Sequence, residues 1–164
     1  MKILVAGAGA VGSFYGAKLA QAGAAVRLLC RSDFDHVSKH GVRIESVWGD
    51  FHFTPEHVVN KSSDYTRLAG GMPDLVLVSL KSLPSIDTPA IIRAAVGPGV
   101  AILILQNGIE VERPAAEAFP SNELLSGIAF VCLNRIGPGH VRHLDYGRMV
   151  LGRHPSGIGE LATR

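Results

Sequence analysis

The glycine pattern Gly7-Ala8-Gly9-Ala10-Val11-Gly12 constrains the fold of this chain more than any other feature. It follows a short apolar strand, Lys2 to Ala6. It opens a segment, Val11 to Ala22, whose apolar residues at 11, 14, 15, 19 and 22 recur at close to a helical period. Gly23 ends that helix, and Ala25 to Cys30 reads as a second strand. GxGxxG in such a βαβ unit of about thirty residues is a dinucleotide-binding signature rather than a chance spacing. Gly7 permits the tight turn, Gly9 lets a pyrophosphate reach the backbone, and Gly12 lets the helix pack closely on the strands. The helix start then offers free N–H groups and the positive end of its dipole to phosphates.

The rest of the chain alternates in the same manner. Asp74 to Leu80 and Val100 to Leu105 are near-continuous β-branched and leucine runs, suited to strands buried on both faces of a parallel sheet. Helices are expected from Ser85 to Val96, with Pro89 tolerable only in the first turns, and from Ile109 to Phe119, where Pro114 limits regularity. Residues 31–72 are less regular, apart from a hairpin with arms 42–47 and 51–53 about Trp48-Gly49-Asp50. Leu124 to Leu133 reads as a long strand. Residues 140–145 and 148–152 read as two antiparallel strands about Tyr146-Gly147, and Glu160-Leu161-Ala162 as the start of a helix. The fold class is therefore α/β: a Rossmann-like, doubly wound and mostly parallel sheet with a late antiparallel hairpin, in a single domain over residues 1–164.

Composition excludes several function classes. Of 164 residues, 47% are hydrophobic and 18% charged, which rules out a disordered chain. A net charge of +2 predicts neither a nucleic-acid nor an anionic-membrane partner. No apolar stretch approaches the roughly 20 residues that span a bilayer, and the N-terminus lacks signal-peptide character. Cys30 and Cys132 both lie in apolar runs and read as core thiols, which fits a reducing cytoplasm. The seven histidines show no metal-ligand spacing, and His140 and His143 read as surface or edge residues of the late hairpin. Neither GxSxG nor a Walker P-loop occurs.

In a doubly wound sheet ligands bind at the carboxyl ends of the strands, where strand order reverses. That rule selects residues 7–12, Arg31, Lys81 and 106–108. Where an NAD site usually has an acid, this chain has Cys30-Arg31-Ser32. A guanidinium there can pair bidentately with a 2′-phosphate, which favours NADP. If the strand runs further, Asp33 could serve the ribose instead. Lys81 either points into the crevice or snorkels past the strand end. Asn107 carries donors and acceptors that could hold a nicotinamide or a substrate, and it is also half of an Asn-Gly turn pair.

These motifs in this order resemble the ketopantoate reductase (2-dehydropantoate 2-reductase) family. The resemblance rests on MKILVAGAGAVGSFYGAKLAQAG at the N-terminus, Arg31, VSLKS at 78–82, LQNGIE at 105–110 and SGIAFVCLNRIGPGHVRHLDYGRMVLG at 126–152. It implies NADPH-dependent reduction of ketopantoate to pantoate, a step towards pantothenate and coenzyme A. It also implies that Gly7, Ala8, Gly9, Ala10, Val11 and Gly12 hold the pyrophosphate and Arg31 the 2′-phosphate. Lys81 binds cofactor, Asn107 touches cofactor and substrate, and Leu133 touches cofactor through its backbone. Family members carry a second, helical domain with the proton-donating lysine and most substrate-binding groups. The chain stops before that domain, so no catalytic residue is expected here. The fragment should bind cofactor without catalysis, and a face left uncovered could pair two copies into a homodimer. A stand-alone redox-sensing dinucleotide module is the alternative. Another two-domain dehydrogenase, of 6-phosphogluconate or a 3-hydroxyacid, fits the QNG tripeptide and late hairpin less well.

Overall fold

Short apolar runs form strands here because helices cover them from both sides. The computed structural model describes residues 1–155. In chain order the elements are β1 (Lys2–Ala6), α1 (Ala10–Gln21), β2 (Ala25–Leu29), α2 (Phe34–His40), β3 (Val42–Ser46), β4 (Phe51–Phe53), β5 (Val58–Val59) and α3 (Ser62–Ala69). There follow β6 (Leu75–Val78), α4 (Thr88–Ile92) running into a 3₁₀ turn at Arg93–Ala95, β7 (Ala101–Ile104), α5 (Arg113–Ala118), β8 (Leu124–Gly137) and β9 (His140–Arg153). All nine strands join one sheet in the order β4-β3-β9-β8-β7-β6-β1-β2-β5. Every neighbouring pair is parallel except β3–β4 and β8–β9. The α/β, mostly parallel architecture is the one expected.

Side-chain alternation divides the core in two. Ile3, Val5, Leu77 and Leu103 face α1, and Leu4, Ala6, Val76 and Ile102 face Tyr65 of α3, Ile92 of α4 and Ala115 of α5. From β1 the chain first adds β2 and β5 on one side, then returns to place β6 and β7 on the other, so strand order reverses at β1. The carboxyl end of β1 is therefore where a crevice forms.

Helix α1 is not amphipathic. Six successive residues, Gly12 to Ala17, are buried. The reason is that α1 packs on β1 and β2 and is also covered by β3, β8 and β9, which fold back over it. Phe14 is fully buried at that junction, its ring centroid 4.5 Å from that of His143 and 6.1 Å from that of Trp48. The Tyr15 hydroxyl donates to the Gly147 carbonyl at 3.4 Å. Gly147 has φ +133°, and a Cβ there would fall on the Trp48 ring.

The late segment departs from expectation. Residues 140–153 form one strand, not two about Tyr146-Gly147. Val131 pairs with Tyr146 and Phe130 with Arg148, leaving Gly147 as the extra residue of a β-bulge. Tyr146 takes φ +62°. The local chain thus bends as a turn would, while both flanks stay paired to β8. That strand runs on to Gly137, past the expected Leu133. Only one face of the β8–β9 ribbon is covered. Ala129, Val131 and Leu133 pack on the α1 core, whereas Ile128, Phe130 and Cys132 point outward. Cys132 is exposed, not a core thiol; Cys30 is buried as expected. His143 is 1% exposed rather than at the surface.

The proline-bearing helices are shorter than their apolar patterns. Pro89 and Pro114 sit in the first turns of α4 and α5, and Asp87 caps α4 by accepting from the Ala90 N–H at 3.0 Å. Within residues 31–72, α2, β5 and α3 accompany the expected hairpin. The helix start expected at Glu160-Leu161-Ala162 lies outside the described residues.

Candidate dinucleotide cleft

The loop from β1 to α1 has a geometry that assigns a distinct reason to each glycine. Gly7 takes φ +106°, and its N–H donates to the Leu29 carbonyl at 3.2 Å. Ser79, just beyond β6, donates its hydroxyl to the Gly7 carbonyl at 2.7 Å and pins the turn. A Cβ on Gly12 would collide with that carbonyl, with Ser79 Oγ and with Val5, so close packing excludes any side chain. Gly9 is different. Its φ is −77°, open to any residue, and a Cβ there would meet nothing within 4 Å. Neither backbone conformation nor packing calls for glycine at this position.

Gly9 is also the N-cap of α1 and makes no side-chain capping bond, and the first turn has no acidic residue. Among the described residues, neither the N-cap side chain nor an acid of the first turn meets the first N–H groups of this 12-residue helix. They open beside a cleft of about 860 Å³ lined by Gly7, Ala8 and Gly9, by the segments after β2 and β5, and by the segment after β6. Among the described residues its charged lining is Arg31, Lys61, Lys81, Arg135 and a single carboxylate, Asp33.

That carboxylate is already engaged. Arg135 of β8 donates Nη2–H to Asp33 Oδ1 at 2.6 Å and Nε–H to Oδ2 at 3.1 Å. The Gly139 N–H and Ser32 hydroxyl also donate to it, at 3.2 and 3.0 Å. Burial pushes the Asp33 carboxyl upward, but these hydrogen bonds and the Arg135 charge outweigh burial and hold it below its ordinary value. The neighbouring Cys30 thiol is pushed up to about 12, by burial first and then by Asp33, so it is not a nucleophile at neutral pH.

The cleft gathers Gly7, Ala8, Gly9, Arg31 and Lys81. Strand β2 ends at Leu29, so Arg31 emerges at the crevice and Asp33 turns under the ribbon. Ala10, Val11 and Gly12 form the first turn of α1 behind the loop and do not line the cleft. Asn107 is exposed beyond the end of β7, outside the lining. Its neighbour Gln106 donates Nε2–H to the Leu80 carbonyl at 3.1 Å and ties the segments after β6 and β7 together. Leu133 is half-buried in β8, with its side chain on the α1 core. Sequence reasoning missed Asn60, Lys61, Ser62 and Ser63, a polar run directly after β5 that the carboxyl-end rule could have selected. It also missed Arg135, which stands 102 positions from Asp33 and carries no local signal.

His143 Nε2 faces the carbonyls of Asp145 and Tyr146, at 3.1 and 2.9 Å, and so carries the proton, while Nδ1 accepts from the Ser46 hydroxyl at 2.8 Å. This histidine is a satisfied core residue. Among the described residues no cluster of His, Cys, Asp and Glu could hold a metal ion, and no helix is long and apolar enough to cross a membrane.

The sequence profile of ketopantoate reductase PanE/ApbA matches residues 3–156. A 2-dehydropantoate 2-reductase of Nostoc sp. is 37% identical over 162 residues, covering 98% of this chain and 49% of that protein. The crystal structure of 2-dehydropantoate 2-reductase from Methylococcus capsulatus superimposes with a TM-score of 0.91 at 41% identity, over 98% of this chain and 51% of that one. A D-mandelate dehydrogenase solved with NADH and anilino(oxo)acetate shares the fold, with a TM-score of 0.82 at 24% identity. The chain spans about half the length of the curated relatives it matches.

Proposed function

Because the chain belongs to the ketopantoate reductase PanE/ApbA family of NAD(P)-dependent oxidoreductases, we propose that it is the NADP(H)-binding half of a reductase that converts ketopantoate to pantoate, a step towards pantothenate and coenzyme A. The observation that carries this reading is the open, conformationally unneeded Gly9 at the uncapped start of α1, beside a cleft with four cationic side chains. NADPH, when bound, supplies the hydride that the substrate's keto carbon receives. In this reading Gly7 to Gly12 take the pyrophosphate on backbone N–H groups. Arg31 takes the 2′-phosphate as a fork of N–H donors, and Lys81 adds a point charge from the opposite wall. Asn107, at the same carboxyl edge, orients the nicotinamide and the substrate, and Leu133 offers a backbone contact.

A D-mandelate dehydrogenase that shares this fold was solved with NADH, so the fold alone does not argue for NADPH and the preference proposed here rests on Arg31. Reduction of a 2-oxoacid builds negative charge on oxygen and needs an acid within hydrogen-bond reach. No residue of the cleft is assigned that role: Asp33 is paired with Arg135, and Lys81 serves the cofactor. The chain alone is therefore proposed to bind cofactor without oxidising it when ketopantoate is added, the proton donor and substrate groups residing in the other half. It is assigned to the cytoplasm. Should two copies pair, the outward face of β8–β9 bearing Ile128, Phe130 and Val150 is the surface they would use.

Calorimetric titration tests the reading. The native chain should bind NADPH more tightly than NADH, by about 1–3 kcal/mol for a partly exposed charge-assisted pair, and Arg31→Ala should erase most of that difference. Gly9→Val should abolish binding and leave the circular dichroism spectrum unchanged. Equal NADH and NADPH affinities in the native chain, or normal binding by Gly9→Val, would overturn the assignment.

A further inference from the structure

Asp33 stands four residues past the end of β2, close to where an acid in a dinucleotide site accepts the ribose hydroxyls. A free carboxylate there would favour NADH and repel a 2′-phosphate. Here both oxygens are occupied, by two bonds from Arg135, one from Gly139 N–H and one from Ser32, and the residue is 5% exposed. Arg135 spends Nε and Nη2 on this pair, and Nη1 makes no hydrogen bond among the described residues. Its side chain is 42% exposed and lines the cleft with Arg31. One guanidinium thus neutralises the only acid that the described residues place in the lining and faces the space that acid would otherwise govern.

We propose that Arg135 is a second determinant of the cleft's cofactor preference, acting together with Arg31: it clasps Asp33 away from the ribose hydroxyls and presents its free N–H groups to the 2′-phosphate. The inference rests on the cleft being a dinucleotide site, and it adds a specificity residue supplied by the ribbon rather than by the βαβ unit. Arg31 and Arg135 then act as two donors of different standing. Arg31 adds attraction for the phosphate. Arg135 adds attraction and also removes a repulsion, so its loss changes the affinities for the two cofactors in opposite directions.

The experiment titrates NADPH and NADH into the native chain, Arg135→Ala, Asp33→Asn and the double variant, each checked for folding by circular dichroism. Arg135→Ala should lower the NADPH-to-NADH affinity ratio by about tenfold or more, with NADH binding itself strengthened as Asp33 becomes available. Adding Asp33→Asn to Arg135→Ala should remove the gain in NADH binding, and Asp33→Asn alone should leave NADH weak. Should Arg135→Ala fail to fold, Arg135→Gln, which keeps a donor towards Asp33, is expected to shift the ratio in the same direction by less. A ratio within about twofold of native in folded Arg135→Ala, or in Arg135→Gln where that variant stands in for it, would overturn the proposal. So would an NADH gain that survives Asp33→Asn. A native chain that binds NADPH selectively while the variant's ratio stays unmoved removes this inference alone. A native chain that binds neither nucleotide removes the reading of the cleft and the inference together.

Discussion

The central strands and the β8–β9 ribbon belong to one sheet and yet handle their surfaces in opposite ways. In β6 and β7 all four residues of each strand are buried, and in β1 four of five. In β8, beyond Leu125, half-buried and exposed residues alternate through the middle of the strand. The first pattern arises where helices lie on both faces, the second where only α1 lies on one. The consequence is a division of labour. The parallel half, as proposed above, meets phosphate with backbone, through a loop in which Gly9 leaves open space. The ribbon contributes side chains at a distance, Arg135 to the Asp33 clasp and His143 to the Phe14 junction.

The joint between these regions is the place to break the comparison hardest. Phe14→Ala removes the fully buried ring that His143, Trp48 and Tyr15 pack around, and should cost about 3–5 kcal/mol in urea unfolding. Within the parallel half, Gly12→Ala forces a methyl against the Gly7 carbonyl and should cost about 1–3 kcal/mol, seen as a lowered Tm.

The clasp between the regions should show in acid. The folded Asp33 carboxyl lies below its ordinary value, so its contribution is complete above about pH 3.9 and is lost as pH falls through the lower folded value. Thermal melts at pH 7 and pH 3 should therefore show a smaller acid loss for Asp33→Asn than for the native chain. The smallest effect belongs to the ribbon's outward face. Phe130→Ser, at a side chain with 54% of its surface in solvent, should change stability by no more than about 0.5 kcal/mol. Light scattering on the same variant reports whether that face joins copies.

The same contrast explains what was legible in the sequence. Leu75–Val78 and Ala101–Ile104 are apolar without interruption, and their shortness and β-branched content favour a strand between two layers of helix. The glycine loop was readable because its three glycines stand at a fixed local spacing between a strand and a helix, even though Ser79 supplies part of the reason for Gly7 and Gly12, and Arg31 and Lys81 followed from the ends of β2 and β6. Helices α2 and α3 escaped because they are short and largely polar, and strand β5 because it is only the two residues Val58–Val59 paired to the remote β2. Tyr146-Gly147 read as a turn because a bulge with positive φ bends the backbone as a turn does; only the pairing with β8 distinguishes them. Cys132 sits in an apolar run and still faces outward, because strand alternation puts Val131 and Leu133 on the covered side. The Asp33–Arg135 pair could not be read at all, since nothing in either neighbourhood announces a partner 102 positions away.

Trp48 lies against His143 and Phe14, with the Lys18 ammonium 5.7 Å from its ring centroid and the bulge glycine beneath it. It is the chain's one tryptophan, so excitation selective for indole reports from a single place, the seam between ribbon and α1, and not from the lining of the cleft. Its emission is thus a local gauge of whether the ribbon remains docked. A red shift preceding loss of the far-ultraviolet helix signal would mean that the seam opens while the parallel half still stands. A shifted emission maximum on addition of the oxidised nucleotide, which does not absorb in the emission band, would report a disturbance carried from the clasp to the seam along β8 and β9.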